Sequence, residues 1–297
     1  MPLQLSSLNR NGQGPQIIFP SDPDYGIILQ TYINGTNTPL AIVRPKNAAE
    51  VSRIVRYAVA YDISITVRGG GHELYGRSIV NGALAIDLRL LNSTQIIDKG
   101  TLARLGGGTS HREYATALAS EGFITPFSTV VSVGLGWNMI GGYSLVSGHY
   151  GLGVDQIVGA KVVNWQGEIV EADEDMLFGI RGAQGNFGVV VELTIKIYPI
   201  ETPRKTILAG QILFESSNIS SITHNFFRGY EALESKDLPL EIGIEPFVVN
   251  ILQLGRTFGV FVISTSADLN ASKFYVDKVK EFGNLIDDTV AEISIPA

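Results

Sequence analysis

The amino-acid sequence predicts an α+β protein with two domains of different construction. Residues 1–200 alternate short apolar strands and helices with clusters of glycine, whereas residues 201–297 contain no such cluster. The second segment follows the order strand, helix, strand, strand, helix, which suits a mostly antiparallel sheet with its helices on one face. Pro199 marks the boundary between the two patterns.

The first domain begins with a strand, a helix and a second strand. The short apolar run 40–43 predicts the first strand, and Asn47 with Glu50 three residues later forms a capping box that begins the helix. Apolar and polar residues then alternate over 63–67 and again over 84–88, which is typical of half-buried strands.

The rest of the first domain continues this alternation. Ser110 and Glu113 form a second capping box, which predicts a short helix. Apolar runs predict strands over 157–163, 167–172 and 189–197, and a glycine-rich tract leads directly into the last of them.

The second domain contains longer elements. Its last apolar segment, 290–295, has the pattern of a strand, and a domain rarely ends within a sheet, so we expect this domain to be incomplete. Its other predicted elements are a strand over 206–214, a helix over 218–234, strands over 241–254 and 256–265, and a helix over 268–282.

The composition excludes several classes of function. Apolar residues make up 45% of the chain and charged residues 17%, which is typical of a globular protein. A net charge of −7 argues against a nucleic-acid or membrane partner, because phosphate surfaces are bound by concentrated basic residues. Without cysteine the chain forms no disulfide and no thiolate metal site. The absence of a long apolar run and of an export signal predicts a cytoplasmic location.

Glycine is unusually frequent, with 33 residues among 297, where about 7% is typical. Gly69, Gly70 and Gly71 directly follow a predicted strand. Consecutive glycines allow several backbone N–H groups to converge on an anion, because no Cβ keeps the anion away. The alternative is a tight hairpin connection that needs positive φ angles. The loop by itself does not distinguish a phosphate site from such a connection.

Two nucleotide-binding motifs can be tested against this loop. Residues 71–78 differ from a P-loop because Arg77 stands where lysine is required, and because a strand follows them instead of a helix. A dinucleotide-binding fingerprint also requires a following helix. Neither H-E-x-x-H nor G-x-S-x-G occurs, so zinc hydrolysis and a nucleophile elbow lack support. Packing or surface positions are expected for His111, His149 and His224.

Four segments in a fixed order resemble the FAD-linked oxidases of the berberine-bridge-enzyme type, which share the flavin fold of vanillyl alcohol oxidase. The segments are 65–72, 85–88, 141–143 together with 150–155, and 181–190. The segment 73–78 and Trp137 are most similar to members that resemble 6-hydroxynicotine oxidase. The resemblance covers residues 35–200 and implies an FAD-binding domain of two subdomains in residues 1–200. Residues 201–297 would then be an incomplete substrate domain.

The resemblance also implies roles for individual residues. In the family, the loop matching Arg68–Gly76 wraps the FAD pyrophosphate, and the histidine matching His72 is bonded to the 8α-methyl group of the flavin. Asp155 falls on a recurrent family residue, although a structural cap explains it equally well. The implied cofactor-binding positions are Arg68, Gly69, Gly70, Gly71, His72, Glu73, Gly76, Gly134, Gly136, Gly141, Gly142, Asp155, Gly185, Asn186, Phe187 and Val190.

Three departures from the family pattern change what is expected. Residues 126–134 contain no cysteine, so a second covalent bond to the flavin is excluded. Glu73 stands where serine is commonest, and its carboxylate should point away from the pyrophosphate while its N–H still donates. The C-terminal family segment that often includes the catalytic base has no counterpart, so the sequence names no base. Tyr143 and Tyr150 are expected to pack in the core.

The resemblance implies a hydride transfer from a small organic substrate to flavin N5. The substrate class is an alcohol, an amine or a secondary-metabolite intermediate, and dioxygen is the expected acceptor, giving hydrogen peroxide. Two alternatives remain open at this point: an inactive, truncated protein that still binds FAD, and a nucleotide hydrolase that uses residues 71–78.

Overall fold

The structure is a computed structural model that describes residues 5–9, 12–33, 35–202, 205–235 and 238–294. The chain divides into two compact units. Unit 1 consists of Met1–Ala117, Val130–Gly142 and Leu152–Ile197. Unit 2 consists of Leu118–Thr129, Tyr143–Gly151 and Tyr198–Ala297, so that it includes two segments from the first 200 residues.

The elements are numbered in chain order through both units. The strands are β1 (Gln16–Ile18), β2 (Ala41–Arg44), β3 (Ile65–Arg68), β4 (Leu84–Asp87), β5 (Thr94–Ile97), β6 (Leu102–Gly106), β7 (Phe123–Ile124), β8 (Ile157–Val163), β9 (Ile169–Glu171), β10 (Val189–Lys196), β11 (Tyr198–Pro199), β12 (Thr206–Phe214), β13 (Ile242–Ile251), β14 (Gly255–Ser264), β15 (Leu285–Asp288) and β16 (Ala291–Ser294). The α-helices are α1 (Tyr25–Leu29), α2 (Ala48–Ala60), α3 (His111–Ser120), α4 (Gly136–Met139), α5 (Ser147–Tyr150), α6 (Glu174–Ala183), α7 (Ile219–Glu234) and α8 (Leu269–Lys280).

The first sheet of unit 1 has the strand order β1-β2-β4-β3, and β4 runs parallel to both β2 and β3. Because parallel neighbours cannot be joined by a hairpin, the hairpin alternative for the glycine loop after β3 is wrong. Helix α2 begins as predicted, since the side chain of Asn47 accepts the N–H of Glu50 at 2.9 Å. Its apolar face, including Val51 and Ile54, packs with Ile86 in the core of this sheet.

The second sheet of unit 1 has the order β5-β6-β10-β8-β9, and all of its pairs are antiparallel. The predicted capping box at α3 is present, because the Ser110 N–H donates to the Glu113 carboxylate at 2.7 Å and the Glu113 N–H donates to the Ser110 hydroxyl at 3.3 Å. Gly69, Gly70 and Gly71 directly follow β3, and Gly107 and Gly108 directly follow β6.

Unit 2 contains the antiparallel sheet that the sequence predicts. Its order is β13-β14-β12-β15, and β16 also pairs with β12. Helices α7 and α8 pack on one face through side chains such as Phe226 and Val276, which meet Phe258 and Val260 of β14. On the other face, Ile263 packs with Ile124, which belongs to one of the two segments from the first 200 residues. None of the helices in the described ranges is long and apolar enough to cross a lipid bilayer.

Candidate functional site

Strand β3 ends at Arg68, and three glycines and His72 follow it at the edge of the first sheet. The Arg68 side chain is only 2% exposed, and its guanidinium donates to the backbone carbonyl groups of Ile28 and Gln30. Burial lowers the pKa of Arg68 to about 10, so the group stays charged at neutral pH. Arg68 therefore anchors the C-terminal end of α1.

Two glycine loops of unit 1 approach each other with no room for side chains. A Cβ atom added to Gly70 would lie 2.3 Å from the backbone nitrogen of Gly134, and one added to Gly134 would lie 2.4 Å from the nitrogen of Gly70. A separate contact of the same kind occurs elsewhere in unit 1, because a Cβ atom on Gly107 would lie 2.3 Å from the carbonyl oxygen of Val190. Segments 64 and 83 positions apart in the sequence thus meet backbone to backbone, and Gly70, Gly134 and Gly107 leave the space that a Cβ atom would fill.

His72 lies at the end of the first glycine loop, and contacts on two sides hold its ring. Its Nε2 atom is 2.9 Å from the hydroxyl oxygen of Ser132, which belongs to the second loop. The ring stacks on Tyr32, with the centroids 4.9 Å apart and the planes at 21°. Burial lowers the pKa of His72 below its ordinary value of 6.5, so the imidazole is neutral at neutral pH.

A further group of candidate residues surrounds the glycine pair after α4. Gly141 and Gly142 both have positive φ angles, +127° and +74°, and a Cβ atom on Gly142 would lie 2.8 Å from the ring of Trp137. The carbonyl of Gly142 accepts the N–H of Gly153 at 2.8 Å. Asp155 accepts the N–H of Leu152 at 2.8 Å, so its carboxylate closes this loop in the manner of a structural cap.

The tract after α6 connects with α4 through Gln184, whose side-chain amide lies 3.5 Å from the carbonyl oxygen of Gly136. Asn186 donates to the carbonyl of Ala183 at 2.8 Å, which tightens the turn before β10. The ring of Phe187 is 44% exposed. Gly185 has no neighbouring atom within 4 Å of an added Cβ. In this tract the backbone of Gly185 and part of the Phe187 ring are therefore exposed to solvent.

Glu73 occupies part of its own loop. Its carboxylate accepts the N–H groups of Tyr75 at 2.8 Å and Arg77 at 2.6 Å, together with Nε of Arg77 at 3.0 Å. Burial by itself would raise the pKa of the Glu73 carboxyl, but these hydrogen bonds outweigh it and lower the pKa. The side chain thus lies over its own loop, which includes Gly76. Its carboxylate is hydrogen-bonded to two backbone N–H groups of that loop.

Sequence reasoning missed the two residues that contact the His72 ring. Ser132 lies two positions before Gly134, so the glycine tract itself was a signal for it. Tyr32 lies 40 positions before His72, outside every motif. Two of the other histidines take packing positions, since His111 Nδ1 is 3.1 Å from the hydroxyl oxygen of Tyr114 and His149 Nδ1 is 2.9 Å from the hydroxyl oxygen of Thr265. His224 is exposed on α7. No cluster suited to a metal ion occurs among the described residues.

Comparisons with known proteins agree on one family. Residues 39–173 match the FAD binding domain family. The chain is 31% identical over 266 residues to the FAD-linked oxidoreductase aurO of Gibberella zeae. The match covers 88% of this chain and 51% of that protein. The chain thus spans about half the length of the curated relatives it matches.

Solved structures give the same result for the fold. The crystal structure of 6-hydroxy-D-nicotine oxidase from Arthrobacter nicotinovorans matches with a TM-score of 0.84 and 28% identity, over 95% of this chain and 62% of that one. Glucooligosaccharide oxidase from Acremonium strictum, described as carrying a 6-S-cysteinyl, 8α-N1-histidyl FAD, matches in fold with a TM-score of 0.73 and 19% identity, over 94% and 59% of the two chains.

Proposed function

We propose that this chain is an FAD-linked oxidoreductase of the berberine-bridge-enzyme type, in which unit 1 binds FAD on its glycine loops and bonds it covalently through His72. The observation that carries this proposal is the contact of Gly70 with Gly134 beside the neutral His72 ring. Loops without side chains allow a pyrophosphate to approach backbone N–H groups. A neutral imidazole beside them is a competent nucleophile.

The residues of unit 1 fit the cofactor in different ways. The loop from Gly69 to Gly76 would face the pyrophosphate, with the amides of Tyr75 and Arg77 already taken by Glu73. The remaining candidate residues would contact the flavin and the adenine-ribose portion. They are Gly134, Gly136, Gly141, Gly142, Gly185, Asn186, Phe187 and Val190.

The proposed reaction is the oxidation of a small organic substrate. When bound, FAD would supply a hydride acceptor at flavin N5 and would pass the two electrons to dioxygen, giving hydrogen peroxide. The class of substrate is an alcohol, an amine or a secondary-metabolite intermediate. The part played by this chain is to hold the cofactor by backbone amides and to keep the attachment imidazole neutral.

Acid precipitation of the purified protein tests the attachment. We expect flavin absorbance to remain in the pellet of the wild-type protein and to be lost from the pellet of His72→Ala. His224→Ala is the matched control, because His224 is an exposed residue of α7, and its pellet should keep the flavin. Flavin in the His72→Ala pellet would overturn the assignment of His72.

Peroxide release tests the oxidase activity separately. Each class of substrate is added to the flavin-loaded protein, and both bleaching of the flavin and formation of hydrogen peroxide are measured. Bleaching with peroxide release supports an oxidase. Stable flavin absorbance with every class would instead support the alternative of an FAD-binding protein without turnover.

A further inference from the structure

Among the residues that the structure describes, one of the two ring nitrogens of His72 has a hydrogen-bond partner. The Nε2 atom lies 2.9 Å from Oγ of Ser132, whereas Nδ1 forms no hydrogen bond within the part of the chain that the structure describes. Ser132 reaches this position through its backbone, because the Gly70–Gly134 contact fixes the two loops against each other. The hydroxyl is therefore held beside one defined nitrogen.

Tyr32 fixes the ring from a second direction. Its own ring lies 4.9 Å from the imidazole at an interplanar angle of 21°, and its backbone N–H donates to the carbonyl of Gly71 at 2.9 Å. A half-turn of the imidazole would keep the stacking but would break the hydrogen bond to Ser132. The bond to Ser132 is thus the interaction that distinguishes the two nitrogens.

We propose that Ser132 is a positioning residue that selects Nδ1 of His72 as the atom that bonds to FAD, an inference that rests on the proposed function. A neutral imidazole carries one proton, and the nitrogen without the proton is the nucleophile. When Nε2–H donates to Oγ of Ser132, the lone pair is on Nδ1. A hydrogen bond at one ring nitrogen also increases the basicity of the other.

The atoms and electrons of the attachment reaction balance when dioxygen is the oxidant. One bond forms, between Nδ1 and the 8α carbon of the flavin, while one C–H bond of the 8α-methyl group and the Nε2–H bond break. The two electrons stay on the flavin until dioxygen takes them up with two protons as hydrogen peroxide. After attachment Nε2 is an acceptor, and the Ser132 hydroxyl, which can accept or donate, then donates to it.

The rate of attachment tests this inference. The full chain is produced under riboflavin limitation and incubated with FAD, and the covalent fraction of the bound flavin is followed by acid precipitation. Ser132→Ala should slow attachment roughly tenfold, the scale set by one lost hydrogen bond, while total bound flavin stays the same. Ser132→Thr retains the hydroxyl and should attach FAD at nearly the wild-type rate. The matched control is Ser93→Ala, because Ser93 is exposed.

The linked nitrogen gives a second readout that a purely structural role would not change. NMR of the isolated flavopeptide should show Nδ1 linkage in the wild type and a share of Nε2 linkage in Ser132→Ala. Wild-type rates together with Nδ1 linkage in Ser132→Ala would overturn the role of Ser132. Bound but fully releasable FAD in the wild type would overturn the attachment and leave FAD binding intact. A wild-type protein that binds no FAD would contradict the proposed function itself.

Discussion

The backbone nitrogens of Gly70 and Gly134 lie so close to the partner glycine that neither residue has room for a Cβ atom. Both residues were candidates from the sequence, but the contact between them was not predictable, because 64 positions separate them. A glycine run indicates that backbone approaches something. It does not indicate whether the approaching partner is a ligand, another loop or both.

Gly134→Ala should destabilise unit 1 and weaken FAD binding. The added Cβ would lie 2.4 Å from the nitrogen of Gly70, and forced overpacking of this kind costs about 1–3 kcal/mol. The thermal unfolding midpoint and the amount of retained flavin measure the effect. Gly26→Ala is the control, because an added Cβ there has no atom within 4 Å. Equal losses in both variants would contradict the account of the Gly70–Gly134 contact.

His111 should make unit 1 less stable as the pH falls. Burial lowers the pKa of His111 to about 3, whereas an unfolded histidine titrates near 6.5. Between these values the unfolded chain binds a proton that the folded chain does not, so stability decreases as the pH falls from about 6.5 to about 3. The free energy of unfolding then changes by up to roughly 1.4 kcal/mol per pH unit through this one group.

Urea unfolding at pH 7 and pH 5 measures this dependence. His111→Gln should flatten it, since glutamine does not titrate, whereas His224→Gln alters an exposed residue and should leave the dependence as it is. An unchanged pH dependence in His111→Gln would show that His111 is not the group responsible.

At the scale of elements, local patterns predicted the longer helices and strands well. The capping boxes at Asn47 and Ser110 fix where α2 and α3 begin, because each box satisfies N–H groups that a helix leaves unpaired at its start. Short elements such as α4 and β7 were not predicted. Elements of this length do not contain enough residues to show a period, so tertiary contacts determine them.

The local sequence pattern also did not predict that β3 and β4 pair in parallel. Alternation predicted both strands, but it contains no information on their relative direction. The glycine loop runs between two parallel neighbours, Ile65 pairing with Leu84 and Arg68 with Asp87. The strand order, in which β3 is the outermost strand, places the loop at one edge of the sheet.

Asn47→Ala should lower the free energy of unfolding by about 1 kcal/mol, the usual contribution of a helix cap. The reason is the loss of the hydrogen bond from the Glu50 N–H to the Asn47 side chain. Chemical denaturation gives the free-energy change. Asn270→Ala is the comparison, because Asn270 is exposed in the first turn of α8 and Asp268 caps that helix. A change at Asn47 no larger than that at Asn270 would refute the cap.

At the scale of the whole molecule, the sequence predicted two kinds of architecture, and the structure contains both. Glycine-rich loops belong to unit 1, and the antiparallel sheet with two helices on one face belongs to unit 2. The sequence did not predict that Leu118–Thr129 and Tyr143–Gly151 join unit 2. Their apolar residues, such as Ile124 and Val146, pack in one core cluster with Ile263, which lies more than 100 positions later in the sequence.

Denaturing intact-mass spectrometry of the purified chain tests the central claim, covalent binding of FAD by the glycine loops, most directly. We predict that the mass exceeds that of the sequence by one FAD, and that peptide mapping places the flavin on the peptide containing His72. The His72→Ala variant should have the mass of its polypeptide alone. A wild-type mass equal to the bare polypeptide, measured on protein saturated with FAD in air, would contradict the covalent claim.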